Sequence, residues 1–123
     1  MHVGFIGLGN VGGKLSGSLL RNGTKLSVHD LNKSLVTEFV SRGAIDGQNP
    51  RNIMQTCDVT ITCLPSPSAS NEVMQQMLEF ITPKKVWMEM STTDEAEVKR
   101  LGALVKEKEG SAVDCPVSGG CHR

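Results

Sequence analysis

Short apolar runs alternate with amphipathic segments along the whole chain. The first run, His2–Ile6, precedes a segment with Val11, Leu15 and Leu19 at four-residue spacing, which predicts a helix over Asn10–Arg21. The same alternation predicts further strands at residues 25–29, 44–45, 58–64, 85–90 and 112–114. Helices are predicted between them at residues 32–42, 50–56 and 70–81, and from a Ser91-Thr92-Thr93 cap to Gly110.

This alternation is typical of a parallel sheet with crossover helices. Residues 58–64 are β-branched and nearly uncharged, so they predict a central strand that is buried on both faces. Right-handed crossovers are nearly obligatory between parallel neighbours, which leaves few topologies. We therefore expect an α/β fold, a doubly wound parallel sheet (Rossmann fold) of strand order 3-2-1-4-5-6 in three αβα layers, as one domain over residues 1–123.

Composition excludes several classes of function. The 13 Lys and Arg balance the 13 Asp and Glu, so the chain lacks the basic surface of a nucleic-acid binder. No apolar run reaches the roughly 18–20 residues that a membrane span needs. No targeting peptide is visible. A disulfide scaffold would need denser cysteine than Cys57, Cys63, Cys115 and Cys121, and His2, His29 and His122 show no zinc-ligand spacing. We expect no nucleic-acid or membrane partner, no metal, and a cytoplasmic location, or a mitochondrial one after removal of a transit peptide.

The first strand leads into a G-x-G-x-x-G motif, Gly7-Leu8-Gly9-Asn10-Val11-Gly12, at a strand–helix junction. Gly7 would permit a tight turn, Gly9 would let a pyrophosphate approach the backbone, and Gly12 would let the helix pack close to the strand. The N–H groups and the positive end of the helix would then face the phosphates. We therefore predict that residues 7–12 bind a dinucleotide.

Asp30 lies 18 residues after Gly12, at the end of the second predicted strand. A carboxylate there accepts hydrogen bonds from the adenosine ribose and repels a 2′-phosphate, and no arginine follows it. We expect a preference for NAD over NADP. Alternatively Asp30 caps the following helix, and the two roles can coexist. A rival interpretation, a methyltransferase of similar topology, usually has an acidic residue just ahead of the loop, where this chain has Phe5-Ile6.

Three further segments end strands at the edge where ligands bind in such sheets. Leu64-Pro65 ends the fourth strand, either as a ligand contact or as an ordinary strand-ending proline. Ser91-Thr92 ends the fifth, and its hydroxyls either meet the nicotinamide half of a cofactor or cap the helix. Ser118-Gly119-Gly120 follows the sixth, either as a nest of N–H donors for a carboxylate or as a flexible turn.

Taken in order, these motifs resemble the β-hydroxyacid dehydrogenase family, which includes 3-hydroxyisobutyrate and 6-phosphogluconate dehydrogenases. The resemblance rests on residues 7–12, Asp30, residues 62–65, 89–92 and 114–120, of which the last motif is the most family-specific. It implies NAD as cofactor, with contacts from Leu64, Pro65 and Thr92 besides the glycine loop. It also implies a substrate carboxylate site at Ser118, Gly119 and Gly120. Asp30 favours the 3-hydroxyisobutyrate branch, because the 6-phosphogluconate and glyoxylate reductase branches typically use NADP.

The resemblance also limits what activity is expected. The family's catalytic lysine, its companion asparagine and its helical C-terminal domain fall beyond residue 123, so no catalytic residue is assigned and this chain alone is expected to be inactive. The complete enzyme is expected to be a homo-oligomer that transfers hydride from a small 3-hydroxy acid to NAD. The alternatives are a glyoxylate or semialdehyde reductase of the same family and a non-catalytic dinucleotide-binding module. The chain departs from the family pattern at Gly13, Gly17 and Glu89.

Overall fold

A computed structural model describes residues 1–90 and 95–114 of the chain. The strands in these ranges are β1 (His2–Ile6), β2 (Lys25–His29), β3 (Ile45–Asp46), β4 (Val59–Thr62), β5 (Val86–Glu89) and β6 (Ser111–Asp114). The helices are α1 (Asn10–Arg21), α2 (Lys33–Ser41), α3 (Pro50–Thr56), α4 (Pro67–Met77) and α5 (Glu95–Glu107), with a 3₁₀ turn at Leu78–Phe80. All strand pairs are parallel, in the order β3-β2-β1-β4-β5-β6, which confirms the predicted topology.

The strand order reverses between β1 and β4, because the chain reaches one edge of the sheet at β3 and returns to the centre. In register, Ile6 at the end of β1 lies opposite His29 on one side and Thr62 on the other, and Thr62 lies opposite Glu89. The carboxyl ends of four strands thus form one row. Ligands of doubly wound sheets bind beyond this row, at the point of reversal.

Helices cover both faces of the sheet, which confirms the αβα layers. One face packs Ile6 and Trp87 against apolar side chains of α3, α4 and α5. The other packs Phe5 and Val28 against α1 and α2. Burial of each such large side chain contributes roughly 1.5–3 kcal/mol. The central strand β4 is buried on both faces, as the sequence predicted, with Thr60 1% exposed and Ile61 8% exposed.

Three predicted helix boundaries are wrong, one of them the end of α4, which lies at Met77 rather than at residue 81 because a 3₁₀ turn follows. Helix α4 begins at Pro67 rather than at residue 70, because Ser66 is its N-cap and accepts a hydrogen bond from the Ala69 N–H at 3.1 Å. Helix α5 ends at Glu107 rather than at Gly110. Its last carbonyls accept the N–H groups of Glu109 and Gly110, in the Schellman pattern that ends a helix with one left-handed residue.

The glycine that departs from the family pattern at position 17 has a packing role. Gly17 is buried in α1, and a Cβ there would lie 3.0 Å from Nη2 of Arg42. The Arg42 guanidinium also lies over the Phe39 ring, 4.8 Å from its centroid. Gly17 therefore leaves room for the Arg42 side chain between α1 and α2. This packing offsets part of the free-energy penalty of a glycine inside a helix.

Candidate functional site

The glycine loop begins with a turn that requires glycine. Gly7 has φ +103°, in the region that side chains disfavour, and its N–H donates to the His29 carbonyl at 3.0 Å. A Cβ at Gly7 would collide with the carbonyl oxygen of Cys63. The predicted tight turn is therefore confirmed, and it is enclosed by the ends of β2 and β4.

The other two glycines of the motif differ in their surroundings. A Cβ at Gly12 would collide with the Gly7 carbonyl oxygen and lie 3.3 Å from the Phe5 ring, so this glycine allows α1 to pack closely on the strand end. A Cβ at Gly9 would meet no described atom within 4 Å. Gly9 thus faces open space, as expected of the position where a phosphate group approaches the backbone.

The N-terminus of α1 is open toward that space. Gly9 is the N-cap, and no side chain caps the helix. Asn10 and Val11, in the first turn, are exposed, and their N–H groups have no acceptor within the helix. These donors and the positive end of the helix dipole fit a pyrophosphate, which is the group that the motif predicts here.

Asp30 is bonded to the glycine loop itself. Its Oδ2 accepts the Leu8 N–H at 2.7 Å, and its Oδ1 accepts the Asn32 N–H at 2.8 Å. Each carboxylate oxygen can accept a second hydrogen bond, so the pair can still receive ribose hydroxyls. The alternative that Asp30 caps α2 is wrong, because Asn32 is the N-cap and its side chain accepts the Ser34 N–H.

Leu64 and Pro65 follow β4 at the point where the strand order reverses. A Cβ at Gly7 would lie 3.4 Å from Cδ2 of Leu64, so the leucine is a neighbour of the glycine loop. Pro65 is exposed beside it. The fold therefore brings the loop, Asp30 and Leu64-Pro65 together at one edge, as predicted.

Cys63 is a half-buried free thiol that sequence reasoning treated only as a small hydrophobe. Burial raises the pKa of the Cys63 thiol, the negative charge of Glu89 raises it further, and a hydrogen bond from the Gly12 N–H opposes both. The thiol is therefore protonated at neutral pH, which does not suit it as a nucleophile. The thiol thus lies beside the Gly12 N–H and within electrostatic range of Glu89.

A buried polar chain at the ends of β4 and β5 is the main feature that sequence reasoning missed. Trp87 Nε1 donates to Thr62 Oγ1 at 3.0 Å, and Thr62 Oγ1 donates to Glu89 Oε2 at 2.9 Å. All three side chains are buried, Glu89 completely. The available sequence signal was an acidic residue within the apolar run of residues 86–90.

Several predicted site residues lie outside the described residues. These are Thr92, Ser118, Gly119 and Gly120. Their assignment to the cofactor and to a substrate carboxylate stays a prediction. Within the ranges that the structure describes, no group of three His, Cys, Asp or Glu side chains is placed to share a metal ion, and no helix is both long and apolar enough to cross a bilayer.

Comparison with known proteins shows that the chain is a cofactor-binding domain. Residues 2–123 match the family described as "NAD binding domain of 6-phosphogluconate dehydrogenase". Three relatives illustrate the similarity: the cytokine-like nuclear factor N-PAC of Pongo abelii (32% identity), the probable mitochondrial 3-hydroxyisobutyrate dehydrogenase of Dictyostelium discoideum (31%) and glyoxylate/succinic semialdehyde reductase 1 of Arabidopsis thaliana (35%). The alignments cover 95%, 96% and 97% of this chain but only 22%, 38% and 42% of those proteins, so the chain spans less than half the length of each.

A solved structure shows the same relationship. The Mycobacterium tuberculosis 3-hydroxyisobutyrate dehydrogenase, crystallised with L-serine, superposes with a TM-score of 0.86 at 25% identity. The superposition covers 98% of this chain and 42% of that enzyme. The doubly wound fold is therefore shared with a longer dehydrogenase.

Proposed function

The chain belongs to the family of the NAD binding domain of 6-phosphogluconate dehydrogenase, and from that premise we propose that it is the cofactor-binding part of an NAD-dependent 3-hydroxy acid dehydrogenase of the 3-hydroxyisobutyrate type. The observation that carries the proposal is the open glycine loop held against Asp30 by the Leu8 N–H. An open N-terminus of α1 binds phosphate, and a carboxylate at the end of β2 selects the ribose.

The residues of this chain bind and orient the cofactor. The N–H groups of Asn10 and Val11 would hold the pyrophosphate, and the Asp30 carboxylate would accept the adenosine ribose hydroxyls. Leu64 and Pro65 would lie beside the nicotinamide half, since they end the first strand of the second mononucleotide-binding half. When bound, NAD supplies the hydride acceptor, and the protein contributes position and electrostatics.

We propose further that the site prefers NAD to NADP. A 2′-phosphate would approach the Asp30 carboxylate, and two negative charges at short range repel each other. The neighbouring Leu31 side chain is 93% exposed and offers no charge to a phosphate. The relatives named for 3-hydroxyisobutyrate support a small 3-hydroxy acid as the substrate class, with Ser118, Gly119 and Gly120 as the proposed carboxylate site.

Calorimetric titration of the 123-residue chain with NADH and, in parallel, with NADPH tests the cofactor proposal. We expect saturable binding that is tighter for NADH, and no oxidation of 3-hydroxyisobutyrate by this chain alone. Tighter binding of NADPH would contradict the role of Asp30. Failure of a folded sample to bind either nucleotide would contradict the proposed function as a whole.

A second candidate function is a dinucleotide-binding module that is not an enzyme. The observation that favours it is a relative, 32% identical over 120 residues, whose name is that of a nuclear factor. An activity assay distinguishes the two candidates, and it should use the longest form of the protein that a cell produces. Reduction of NAD with a 3-hydroxy acid supports the dehydrogenase, consumption of NADH with glyoxylate or succinic semialdehyde supports a reductase, and binding without turnover supports the module. The proposed cytoplasmic location is tested by fractionation of that same cell.

A further inference from the structure

Among the residues whose burial the structure describes, Glu89 is the one acidic or basic side chain that is fully buried. Burying a carboxylate is costly unless hydrogen bonds compensate the loss of water. The proposed binding of NAD by the glycine loop and Asp30 does not use this residue. Its position at the last residue of β5 places it at the cofactor edge of the sheet.

The hydrogen bonds around Thr62 favour a charged carboxylate at Glu89. A hydroxyl has a single proton to donate, and an indole N–H can only donate. Trp87 Nε1 donates to the Thr62 oxygen, and the Thr62 hydroxyl donates to Oε2 of Glu89, 2.9 Å away. A hydrogen bond that is donated to a carboxylate stabilises its ionised form.

The register of the sheet places this charge in the nicotinamide half of the site. A doubly wound sheet consists of two mononucleotide-binding halves. The half formed by β1, β2 and β3 contains Asp30, the proposed adenosine ribose ligand. Glu89 ends β5 in the other half and lies opposite Thr62, which in turn lies opposite Ile6, the residue before the glycine loop.

The electrostatic influence of Glu89 reaches the loop region. Its negative charge contributes to raising the pKa of the Cys63 thiol, which also accepts a hydrogen bond from the Gly12 N–H. Cys63 directly precedes Leu64, and its carbonyl oxygen encloses Gly7. The charge is thus within electrostatic range of a residue at the cofactor edge.

We propose that the buried charge of Glu89 makes this site selective for the oxidised nicotinamide over the reduced one. The nicotinamide ring of NAD⁺ carries a positive charge and that of NADH is neutral, so a fixed negative charge favours the oxidised form alone. This inference rests on the proposed function, since it requires that the chain bind NAD. It assigns Glu89 as a specificity-determining residue that acts through its electric field.

The test compares the dissociation constants of NAD⁺ and NADH for the 123-residue chain and for Glu89→Gln. Glutamine has nearly the same shape, and its amide oxygen can still accept the Thr62 hydroxyl. We expect the ratio Kd(NADH)/Kd(NAD⁺) to fall about tenfold, the order expected when one charge at short range is removed. The affinity for NADH should change little, whereas a purely structural role would weaken both nucleotides equally.

Two further variants separate the charge of Glu89 from the net charge and the shape of the chain. Glu107→Gln removes one negative charge from an exposed position on α5 and should leave the ratio unchanged. Glu89→Asp keeps the charge and should keep most of the selectivity. Should the amide prevent folding, Glu89→Met is a second neutral side chain of similar length, and the same fall in the ratio is expected.

Failure of the inference about Glu89 can be distinguished from failure of the proposed function. An unaltered ratio in a folded neutral variant overturns the inference, as does an equal loss of affinity for both nucleotides. If the unaltered chain binds neither nucleotide, the proposed function fails and this inference fails with it. If the unaltered chain binds both nucleotides, but the ratio of their dissociation constants is the same in the Glu89 variants, the proposed function stands and the inference alone is overturned.

Discussion

The Leu8 N–H donates to Asp30 Oδ2 at 2.7 Å, and this bond ties the middle of the glycine loop to the end of β2. The carboxylate therefore has a structural role before any ligand binds. It holds the loop in the conformation that exposes the N-terminus of α1, and it presents its remaining acceptor capacity to a ribose. These two roles of one side chain can be separated by measuring stability and nucleotide preference independently.

Replacing Asp30 with alanine should lower the stability of the chain and also weaken its preference for NADH over NADPH. Loss of its two hydrogen bonds to backbone N–H groups should lower the free energy of unfolding by about 1–2 kcal/mol, measured by urea denaturation. Loss of the carboxylate should also reduce the preference for NADH over NADPH, measured by titration. A matched control is Asp46→Ala, which removes a carboxylate that accepts the Gln48 N–H two residues on, at the end of β3. An Asp30→Ala chain with the original preference would contradict the assignment.

Two glycines of the same motif should respond differently to alanine. In Gly12→Ala the new methyl group collides with the Gly7 carbonyl, so we expect a loss of about 3 kcal/mol in stability, since the contact is with backbone rather than a movable side chain. In Gly9→Ala the methyl group enters open space, with φ −68° that alanine tolerates, so the melting temperature should hardly change.

Nucleotide binding completes the comparison of these two variants. Gly9→Ala should bind NADH at least tenfold more weakly while it remains fully folded, because its methyl group occupies the space that a phosphate approaches. Calorimetry on a sample with an unchanged circular dichroism spectrum measures this. Undiminished affinity in Gly9→Ala would contradict the placement of the pyrophosphate.

The fold could be predicted because its signals are local. The apolar runs set the strands, and the G-x-G-x-x-G at the first junction indicated the doubly wound order. The segment 32–42 was correctly predicted as a helix, and Gly43, directly after α2, has φ +109°. The start of α4 was mispredicted because a proline can break a helix or occupy its first turn, and Pro67 does the latter once Ser66 is its cap.

The missed features of the site join residues that are far apart in the chain. The Asp30–Leu8 bond spans 22 positions and the Thr62–Glu89 bond spans 27. Each depends on the register of neighbouring parallel strands, which aligns Thr62 with Glu89. Periodicity predicts that these strands are buried, but it does not show that two buried polar side chains meet.

Glu109 occupies the left-handed position that ends α5, and this position invites a stabilising substitution. Its φ is +65°, a conformation that costs a side-chain-bearing residue about 1–2 kcal/mol. Glu109→Gly should therefore raise the free energy of unfolding by about 0.5–1 kcal/mol after the added flexibility of the unfolded chain is counted. Thermal denaturation measures the gain. Glu109→Ala is the control, because alanine keeps the strain, and an equal gain in both variants would contradict this explanation.

The stability of the chain should fall as the pH is lowered below about 6.5, the ordinary pKa of histidine. Burial lowers the pKa of His29 in the folded chain, although the negative charges of Asp30 and Asp46 oppose this effect. Burial also lowers the pKa of His2, and the positive charge of Lys25 lowers it further. A lowered pKa means that the unfolded chain takes up protons first, so stability is complete above the unfolded pKa and is lost as the pH falls through the folded value.

Urea denaturation at a series of pH values between about 8 and 5 measures this loss. The slope of the free energy of unfolding against pH should correspond to the uptake of less than one proton per histidine on unfolding, since both side chains retain contact with solvent. His29→Gln should flatten the curve without removing the contribution of His2, whose Nε2 lies 2.7 Å from Ser27 Oγ. A free energy of unfolding that rises as the pH falls from 6.5 to 5.5 would show that these histidines are stabilised in their charged form, contrary to their burial.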